Sequence, residues 1–528
     1  MAREQAPGWA VHLDPGRPGP LDLTAAGTLL GRLAQVVSAE GSRPLVFDEE
    51  SGWTTRAAFL DRTTALAGRL AAAGLEPGDH IVMSAGPSTA LAVAHVAALR
   101  LGLVVVPMNT AYTPREIRHV VSDAGARGAV VDDGARAAAL AEAAAPEGRF
   151  VVGRLEGTEV TGLPASPVAC ALDAAKGEDP ALLVYTSGTT GSPKGAALSH
   201  ANLLSSAEAV RLAWRWREDD RLVLSLPLFH VHGLGVGLHG TLAAGGSVVL
   251  RRRFDPSDLS EAVARHKATM FFGVPTIYAR LAASSVLTDA LAPLRLCVSG
   301  SAPLPAELHR QVAEAAGQAI LERYGMSETL MIASNPYDGE RRPGTVGLPL
   351  PGVELVIDPG GTRAAAGGAA GEAARKGGGA AGEILVRGPN VFSSYWRRPE
   401  ATAAAFEGGW FRTGDLGRLE PDGYLRIAGR KAELVISGGY NVYPREVEDV
   451  LRMHPAVSDA AVVGRPHPEW GEEVVAFVEP VPGDEHCLGD LADFAADRLA
   501  PYKRPKRLVM VESLPRNALG KVVKGELA

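Results

Sequence analysis

The sequence predicts an α/β fold in which helices alternate with buried, mostly parallel strands. The chain has 528 residues, of which 46% are apolar and 21% charged, a composition typical of a globular protein with a large core. Between residues 25 and 131, and again after residue 179, helix-like segments alternate with short apolar runs rich in β-branched residues. Such alternation indicates crossover connections and parallel sheets. We therefore expect a large amino-terminal domain of packed sheets with helices.

The first stretch contains three helix–strand pairs. Its helices are predicted from TTRAAFLDRTTALAGRLAAAG, STALAVAHVAALRLG and PREIRHVVSDAG, and each is followed by one of the strands HIVMSA, VVVPMN and GAVVDD. The second stretch supplies the strands LLVYTS, RLVLSLPLF, SVVLRR, TMFFGVP and LRLCVSGSA, with SHANLLSSAEAVRLAW and LSEAVARHKA as helices between some of them. It forms either a second sheet or a continuation of the first.

The amino-acid composition and the predicted secondary structure change twice in the last third of the chain. Residues 360–381 are a Gly/Ala low-complexity segment, which predicts a flexible surface insertion because it has little apolar surface to bury. The runs EILVRGPN, WFRTGD and PDGYLRIAGR then predict a small β-rich subdomain. The final hundred or so residues alternate short helices and strands, which predicts a small α/β unit. We expect an amino-terminal domain at 1–429 and a mobile carboxyl-terminal domain at 430–528.

Composition excludes several classes of protein. The net charge is −7 and the pI about 6.0, which disfavours a nucleic-acid partner. Cys170, Cys297 and Cys487 lie far apart, so neither a disulfide scaffold nor a zinc site is indicated. No stretch approaches the roughly 18 apolar residues that span a bilayer, and the first residues contain no apolar signal segment. We expect no membrane partner and a cytoplasmic location.

The strongest local motif is YTSGTTGSPKG at residues 185–195, between a predicted strand and a predicted helix. Its glycines let the backbone approach a ligand, its hydroxyls donate hydrogen bonds, and its lysine supplies a positive charge, which together suit phosphate oxygens. The spacing differs from the nucleotide-binding pattern GxxxxGK[ST]. In isolation, such a run would more often be a flexible polar turn. The candidate phosphate-binding residues are Ser187, Gly188, Thr189, Thr190, Gly191 and Lys194.

This run resembles the phosphate-binding loop of the adenylate-forming superfamily, which contains acyl-CoA synthetases, luciferases and the adenylation domains of nonribosomal peptide synthetases. Four further motifs follow in that family's order: RYGMSET at 323–329, GWFRTGD at 409–415, GR at 429–430 and PRNALGK at 515–521. On these five ordered motifs the chain is identified as a member of the superfamily.

The resemblance implies a nucleotide site and a metal site. It assigns Tyr324, Gly325 and Ser327 to the adenine segment and Glu328, together with Thr186, to Mg²⁺, a hard ion that prefers oxygen ligands. Asp415 can accept hydrogen bonds from the two ribose hydroxyls, and Arg430 can hold the ribose or a phosphate. Alone, either carboxylate would be an ordinary turn or surface residue. The implied cofactors are ATP, Mg²⁺ and coenzyme A.

The resemblance also implies a reaction in two steps. A substrate carboxylate attacks the α-phosphorus of ATP and expels pyrophosphate, and Lys521 supplies positive charge for that step. A thiol then attacks the acyl-adenylate and releases AMP, after the carboxyl-terminal domain has rotated. Gly438 and Gly439 of SGGYN match the loop that lines the pantetheine tunnel. The chain departs from the family at Ala432, where the hinge normally has Lys or Asp.

The acid substrate has its own signals. In LPLFHVHGL, His230 matches the family histidine that shapes the acyl pocket, although such a pair of histidines is often part of a core. The combination of GVPTxYxRL, VSGSAPL, ERYGMSET and PRNxxGKV resembles malonyl-CoA synthetases, in which the arginine of GVPTxYxRL pairs with the distal carboxylate. That arginine is Arg280, four residues after Thr276; without the resemblance, an exposed helix arginine would explain it. Ser299 and Met326 are the expected pocket neighbours, and malonate or methylmalonate is the expected acid.

Two alternatives share the first half-reaction. An enzyme of the same fold could activate another small acid, an aryl acid or nitrite and transfer it to an amine. It could also deliver the acyl group to a carrier protein, an acceptor that no feature of the sequence indicates.

Overall fold

The computed structural model describes residues 8–14, 21–144, 150–186, 193–359, 381–437, 440–467, 470–483, 490–517 and 520–527. The predicted insertion at 360–381 lies outside the described residues except for its last residue. No described helix combines the length and the apolarity that crossing a membrane requires.

Fourteen α-helices are described in these ranges: α1 (Leu29–Ala39), α2 (Arg56–Ala72), α3 (Thr89–Leu101), α4 (Pro114–Ala124), α5 (Gly134–Ala144), α6 (His200–Ala213), α7 (His239–Ala244), α8 (Pro256–His266), α9 (Pro275–Ala282), α10 (Leu287–Leu291), α11 (Ala306–Ala316), α12 (Pro399–Ala405), α13 (Pro444–Leu451) and α14 (Leu491–Ala496). A π-helical segment, His232–Leu238, leads directly into α7.

The described strands are β1 (Pro44–Asp48), β2 (Gly52–Thr55), β3 (His80–Ser84), β4 (Val104–Pro107), β5 (Ala126–Val131), β6 (Val151–Glu156), β7 (Glu159–Thr161), β8 (Pro180–Thr186), β9 (Lys194–Ser199), β10 (Arg221–Leu224), β11 (Ser247–Leu250), β12 (Met270–Gly273), β13 (Leu296–Ser299), β14 (Leu321–Tyr324), β15 (Ala333–Ser334), β16 (Leu348–Pro349), β17 (Glu354–Asp358), β18 (Gly382–Arg387), β19 (Ser394–Tyr395), β20 (Phe406–Glu407), β21 (Trp410–Leu419), β22 (Leu425–Arg430), β23 (Val435–Ser437), β24 (Tyr440–Val442), β25 (Val457–His467), β26 (Gly471–Pro480) and β27 (Arg507–Met510).

Two large sheets, each parallel in its centre, form the amino-terminal part. The first sheet has the order β16-β15-β14-β13-β12-β10-β11-β1-β2, and the second has the order β19-β9-β8-β4-β3-β5-β6-β7. Helix α3 contacts strands of both sheets, and every one of its residues is buried. Burial on all sides explains why its sequence is apolar around the whole helix. The predicted α/β class with mostly parallel sheets is confirmed.

Strands that follow one another along the chain do not always belong to the same sheet. The early strands β1 and β2 join the sheet of the later strands, while β8 pairs with β4 and so extends the sheet of the earlier ones. The second predicted stretch is therefore divided between the two sheets. Periodicity identifies buried strands but contains no information about their partners, which depend on contacts distant in sequence.

Two smaller sheets follow. The third is antiparallel, with the order β17-β18-β21-β20 and β22 paired with β21, and it is the predicted β-rich subdomain. The fourth contains β23 to β27 and has its own apolar clusters. The chain leaves the third sheet at Arg430 and enters the fourth at Val435, beside the predicted boundary at 430. The mobility of this last unit stays a prediction.

Candidate active site

A cavity of about 420 Å³ lies between the amino-terminal sheets and the carboxyl-terminal unit. Its wall combines the end of β14, the strands β21 and β22, the first turn of α9 and the turn before the last residues of the chain. Five of the residues assigned by motif line it together: Tyr324, Gly325, Asp415, Arg430 and Lys521.

We call the part of the cavity lined by Tyr324, Asp415, Arg430 and Lys521 its nucleotide side, and Asp415 lies at its centre. Its strand β21 pairs with β22 so that Asp415 lies directly opposite Arg430, and the Arg430 Nε atom is 2.7 Å from the Asp415 Oδ1 atom. The Tyr324 hydroxyl donates to the Oδ2 atom at 2.5 Å. Burial raises the pKa of Asp415, while the positive charge of Arg430 opposes that rise. A carboxylate has about four acceptor sites, so Asp415 keeps capacity for ribose hydroxyls.

Lys521 reaches the same region from the carboxyl-terminal unit. A short turn holds it, because the Lys521 backbone N–H donates to the Asn517 side chain at 3.0 Å and the Asn517 N–H donates to the Lys521 carbonyl at 2.9 Å. Gly520 has a φ of +75°, and a Cβ atom there would lie 2.8 Å from the Thr276 Oγ1 atom. Only glycine permits both that backbone conformation and that approach to α9.

The electrostatic setting of Lys521 differs from that of the nearby Lys524. Burial by the surrounding protein lowers the pKa of Lys521, and the positive charge of Arg430 lowers it further, although part of the side chain is open to the cavity. Lys524 instead lies 2.9 Å from Glu433 and 2.7 Å from Glu448. Of these two lysines, Lys521 is therefore the one whose charge acts on Asp415.

A second cluster joins Glu328 to the described ends of the phosphate loop. The Tyr395 hydroxyl donates to the Glu328 Oε1 atom at 2.9 Å, and the Lys194 Nζ atom lies 5.4 Å from the centroid of the Tyr395 ring. Thr186 faces Lys194 across the β8–β9 ladder. Burial raises the pKa of Glu328. A carboxylate and a hydroxyl suit Mg²⁺, so Glu328 and Thr186 fit the implied metal.

Tyr395 was missed by the sequence analysis. It belongs to β19, a two-residue strand that pairs with β9. The only local signal is the aromatic pair in SSYWRR, which occurs in many unrelated segments. Several assigned residues lie outside the described part of the chain: Ser187, Gly188, Thr189, Thr190, Gly191, Gly438 and Gly439.

We call the region around His230, His232, Ser299, Arg323 and Met326 the acid side, because it contains the residues of the predicted acid pocket. The surroundings of its two histidines keep both of them neutral. The His232 N–H donates to the His230 Nδ1 atom at 3.3 Å, and the His232 Nδ1 atom lies 3.1 Å from the Ser301 hydroxyl. Burial lowers the pKa of His230 to about 4 and that of His232 well below its ordinary value, and the positive charge of Arg323 adds to both effects. Neither imidazole therefore carries charge at neutral pH.

The remaining assigned residues of the acid side surround this region without lining the cavity. Ser299 ends β13 and is fully buried, and its hydroxyl has no hydrogen-bond partner among the described residues. Met326 is half-buried against the main core, and Ser327, which was assigned to the adenine segment, is half-buried beside it. Arg323, which precedes Tyr324 in the RYGMSET motif, does line the cavity, although the motif alone predicts no role for it.

Arg280 lies elsewhere. Thr276 and Ala279 of α9 line the cavity, whereas the Arg280 side chain is exposed and its guanidinium lies 4.9 Å from the centroid of the Phe254 ring. Helical spacing placed Arg280 on the face of Thr276, but a long side chain can turn toward an aromatic ring outside the pocket. This position gives no support to the role implied by the resemblance, which stays a prediction.

Comparison with known proteins agrees with this geometry. Residues 33–396 match the model of the AMP-binding enzyme family, and residues 446–521 match that of the AMP-binding enzyme carboxyl-terminal domain. A feruloyl-CoA synthase of Amycolatopsis is 36% identical over 90% of this chain and 93% of its own, and a sulfoacetate–CoA ligase of Cupriavidus necator is 36% identical over 94% and 96%. A malonate–CoA ligase of Arabidopsis thaliana is 39% identical over 66% and 60%.

Among solved structures, ATP-bound MatB from Rhodopseudomonas palustris superposes with a TM-score of 0.87, at 38% identity, over 95% of this chain and 98% of that one. Fold and site together define an AMP-forming acyl-CoA ligase, which uses ATP, Mg²⁺ and coenzyme A. The chain belongs to the AMP-binding enzyme family, and the predicted adenylate-forming resemblance is confirmed.

Proposed function

We propose that this ligase activates malonate or methylmalonate. The acid and ATP form an acyl-adenylate with release of pyrophosphate, and the thiol of coenzyme A then takes the acyl group with release of AMP. The observation that carries this choice is the small, polar character of the acid side, where neutral histidines, the Ser299 hydroxyl and the Arg323 guanidinium lie together near the cavity.

The apolar cavity next to the segment that contains His230 and His232, here called the histidine segment, is small, which favours a small acid substrate. The cavity lined by Leu228, Phe229, Leu234 and residues of β3 and β4 measures about 10 Å³. That is roughly the room of one water-sized probe. An aromatic ring or an alkyl chain would need the surrounding core to move, at a cost in packing energy.

The assigned residues take the following roles in this proposal. Asp415 and Arg430 hold the ribose, and Tyr324 positions Asp415 through its hydroxyl. Lys521 places positive charge where the α-phosphorus is attacked, which stabilises charge that develops in the transition state. Glu328 and Thr186 hold Mg²⁺, which neutralises phosphate charge. His230 shapes the acid pocket as a neutral wall.

Substrate profiling tests the proposal. Pyrophosphate release would be measured with malonate, methylmalonate, sulfoacetate, acetate and ferulate, each with and without coenzyme A, and thioesters would be identified by mass spectrometry. We expect the highest kcat/KM for malonate or methylmalonate and a coenzyme A thioester as product. A higher kcat/KM for ferulate would contradict the proposed acid. Pyrophosphate release without thioester formation would contradict coenzyme A as the acyl acceptor.

A further inference from the structure

Arg323 has a buried guanidinium that nothing in the described chain pairs. The residue is 5% exposed, and its Nε and Nη2 atoms have no hydrogen-bond partner among the described residues. The other buried arginines of the described chain have carboxylate partners: Arg56 with Glu218 at 3.4 Å, Arg100 with Asp173 at 3.0 Å and Arg445 with Asp449 at 3.7 Å. Leaving a buried charge without a partner is costly, which makes Arg323 unusual in this fold.

The position of Arg323 connects it to the acid side. It lines the active-site cavity, and its guanidinium lies against Gly300, where a Cβ atom would be only 2.4 Å from the Arg323 Nε atom. The absence of a side chain at 300 is therefore what admits the guanidinium. Its positive charge is also among the causes that lower the pKa of both His230 and His232. Arg323 thus lies between the end of β13 and the histidine segment.

The neighbouring groups do not neutralise this charge. Glu322 precedes Arg323 on β14, and successive strand residues point to opposite faces of a sheet. The Glu322 Oε1 atom accepts the Leu304 N–H at 3.0 Å. Desolvation lowers the pKa of Arg323 to about 9, so the guanidinium is still protonated at neutral pH. The two histidines are neutral there and cannot serve as counter-ions.

The two unpartnered nitrogens share one edge of the guanidinium. Nε and Nη2 are parallel donors on that edge, and an Arg edge of this kind binds a carboxylate or sulfonate through two hydrogen bonds. We propose that Arg323 binds a second anionic group at the far end of the acid, so that it selects substrates with two anionic groups. This inference rests on the proposed function and names the residue that confers its specificity.

The same geometry explains how acids with one carboxylate would be rejected. Acetate could present its carboxylate to the α-phosphorus, but it would leave Arg323 buried and unpaired in the closed site. A site built for a polar partner discriminates strongly against an analogue that lacks it. The selectivity would therefore appear in the ratio of kcat/KM values, because the chemistry at phosphorus is the same for both acids.

The test compares Arg323→Met with Arg310→Met, a matched control at an exposed position of α11, where the arginine pairs with Glu307. Pyrophosphate release would be measured with malonate, sulfoacetate and acetate. Arg323→Met should lower kcat/KM about 30-fold or more for the acids with two anionic groups and change it less than about threefold for acetate. Arg323→Lys should retain part of the kcat/KM that Arg323→Met loses, since lysine keeps the positive charge but lacks the two parallel N–H donors of the guanidinium.

Thermal unfolding and ATP titration separate this role from a structural one. Because the substitution removes an unpaired charge, Arg323→Met should have an unchanged or higher Tm without ligand. Malonate with an unreactive ATP analogue should raise the Tm of the wild type more than that of the variant. Equal losses for malonate and acetate, or a weakened affinity for ATP, would overturn the assignment.

Two further outcomes have separate meanings. A selective loss for malonate in Arg280→Met, with none in Arg323→Met, would overturn the assignment of Arg323 in favour of the arginine implied by the resemblance. A wild type that prefers acetate or ferulate contradicts the proposed function whatever the variants do. A preference for sulfoacetate with the same selective loss in Arg323→Met would replace malonate as the acid and support Arg323 as the anion-binding residue.

Discussion

The nucleotide side and the acid side of the cavity differ in how their polar groups are paired. On the nucleotide side, Asp415 is bonded to both Tyr324 and Arg430 before any ligand is considered. On the acid side, buried atoms of Arg323, Ser299 and His232 have no hydrogen-bond partner among the described residues. The central carboxylate of the nucleotide side is thus already paired within the protein, whereas these buried polar atoms of the acid side are not.

This difference indicates where specificity resides. A paired network holds its side chains in one geometry, which suits ATP, the substrate that is the same whichever acid is activated. A buried polar group without a partner costs about 1–3 kcal/mol, so a ligand that supplies the partner recovers that free energy. We therefore expect changes on the nucleotide side to affect all acids alike and changes on the acid side to discriminate between them.

The largest effect should come from Lys521, which enters the nucleotide side from the other domain. Lys521→Ala should slow adenylation about a thousandfold or more, because the cation stabilises charge present only in the transition state. Thioester formation from preformed acyl-adenylate should fall by less than about tenfold, since the rotated domain no longer needs that lysine. Rapid-quench measurement of each half-reaction checks this.

Lys524→Ala is the control for Lys521. Removing Lys524 breaks its pairs with Glu433 and Glu448, so it should reduce the stability of the carboxyl-terminal unit more than it reduces adenylation. Equal losses of the two half-reactions in Lys521→Ala would show that the lysine has no specific role in adenylation.

Asp415→Asn should have the next largest effect. The amide keeps the size of the side chain but loses the charge that pairs with Arg430 and one acceptor oxygen, so ATP should bind about 10- to 100-fold more weakly. Isothermal titration with ATP measures this. The ratio of kcat/KM for malonate to that for acetate should stay within about threefold of wild type, because the acid side is untouched. A changed ratio would show that the two sides are coupled.

The histidines of the acid side predict a pH dependence of stability. The pKa of His230 is about 4 in the folded protein, against an ordinary value of 6.5. Between those values the unfolded chain binds more protons, so stability falls as the pH falls through this window. Between pH 7 and pH 5, His230 should account for about 1–2 kcal/mol of the loss. Urea unfolding of wild type and His230→Gln at both pH values checks this; identical pH dependence would show that His230 titrates normally.

The sequence predicted the parts of the molecule that depend on local pattern. The α/β class followed from periodicity, and Tyr324, Asp415 and Lys521 were found because each belongs to a short motif. Arg323 was passed over although it stands beside Tyr324 in the same motif, because its significance is its burial without a counter-ion. Burial of that kind depends on Gly300 and the histidine segment, which are distant in sequence.

The direction of individual side chains could also not be predicted from the sequence pattern. The spacing of Thr276 and Arg280 indicated one helix face, but the Arg280 guanidinium lies over Phe254, a residue from a different segment. Tyr395 contacts Glu328 because a two-residue strand pairs with β9, and such a strand has no periodicity to detect. These features arise from contacts between segments rather than within them.

The smallest effect is expected from the Gly/Ala segment, which tests whether the nucleotide side depends on anything beyond its sheet. The segment joins β17 to β18, two antiparallel neighbours in which Asp358 lies opposite Glu383, and β18 pairs with the strand that carries Asp415.

Because the two strand ends are already adjacent, replacing residues 360–379 with a short glycine linker needs no change in the sheet. Loop-closure entropy varies slowly with length, so the free energy of unfolding should change by no more than about 1 kcal/mol. Urea unfolding and ATP titration of the shortened chain measure both properties. An ATP affinity reduced as far as in Asp415→Asn would mean that the segment supports β21, and the nucleotide side would then depend on residues outside its own hydrogen-bond network.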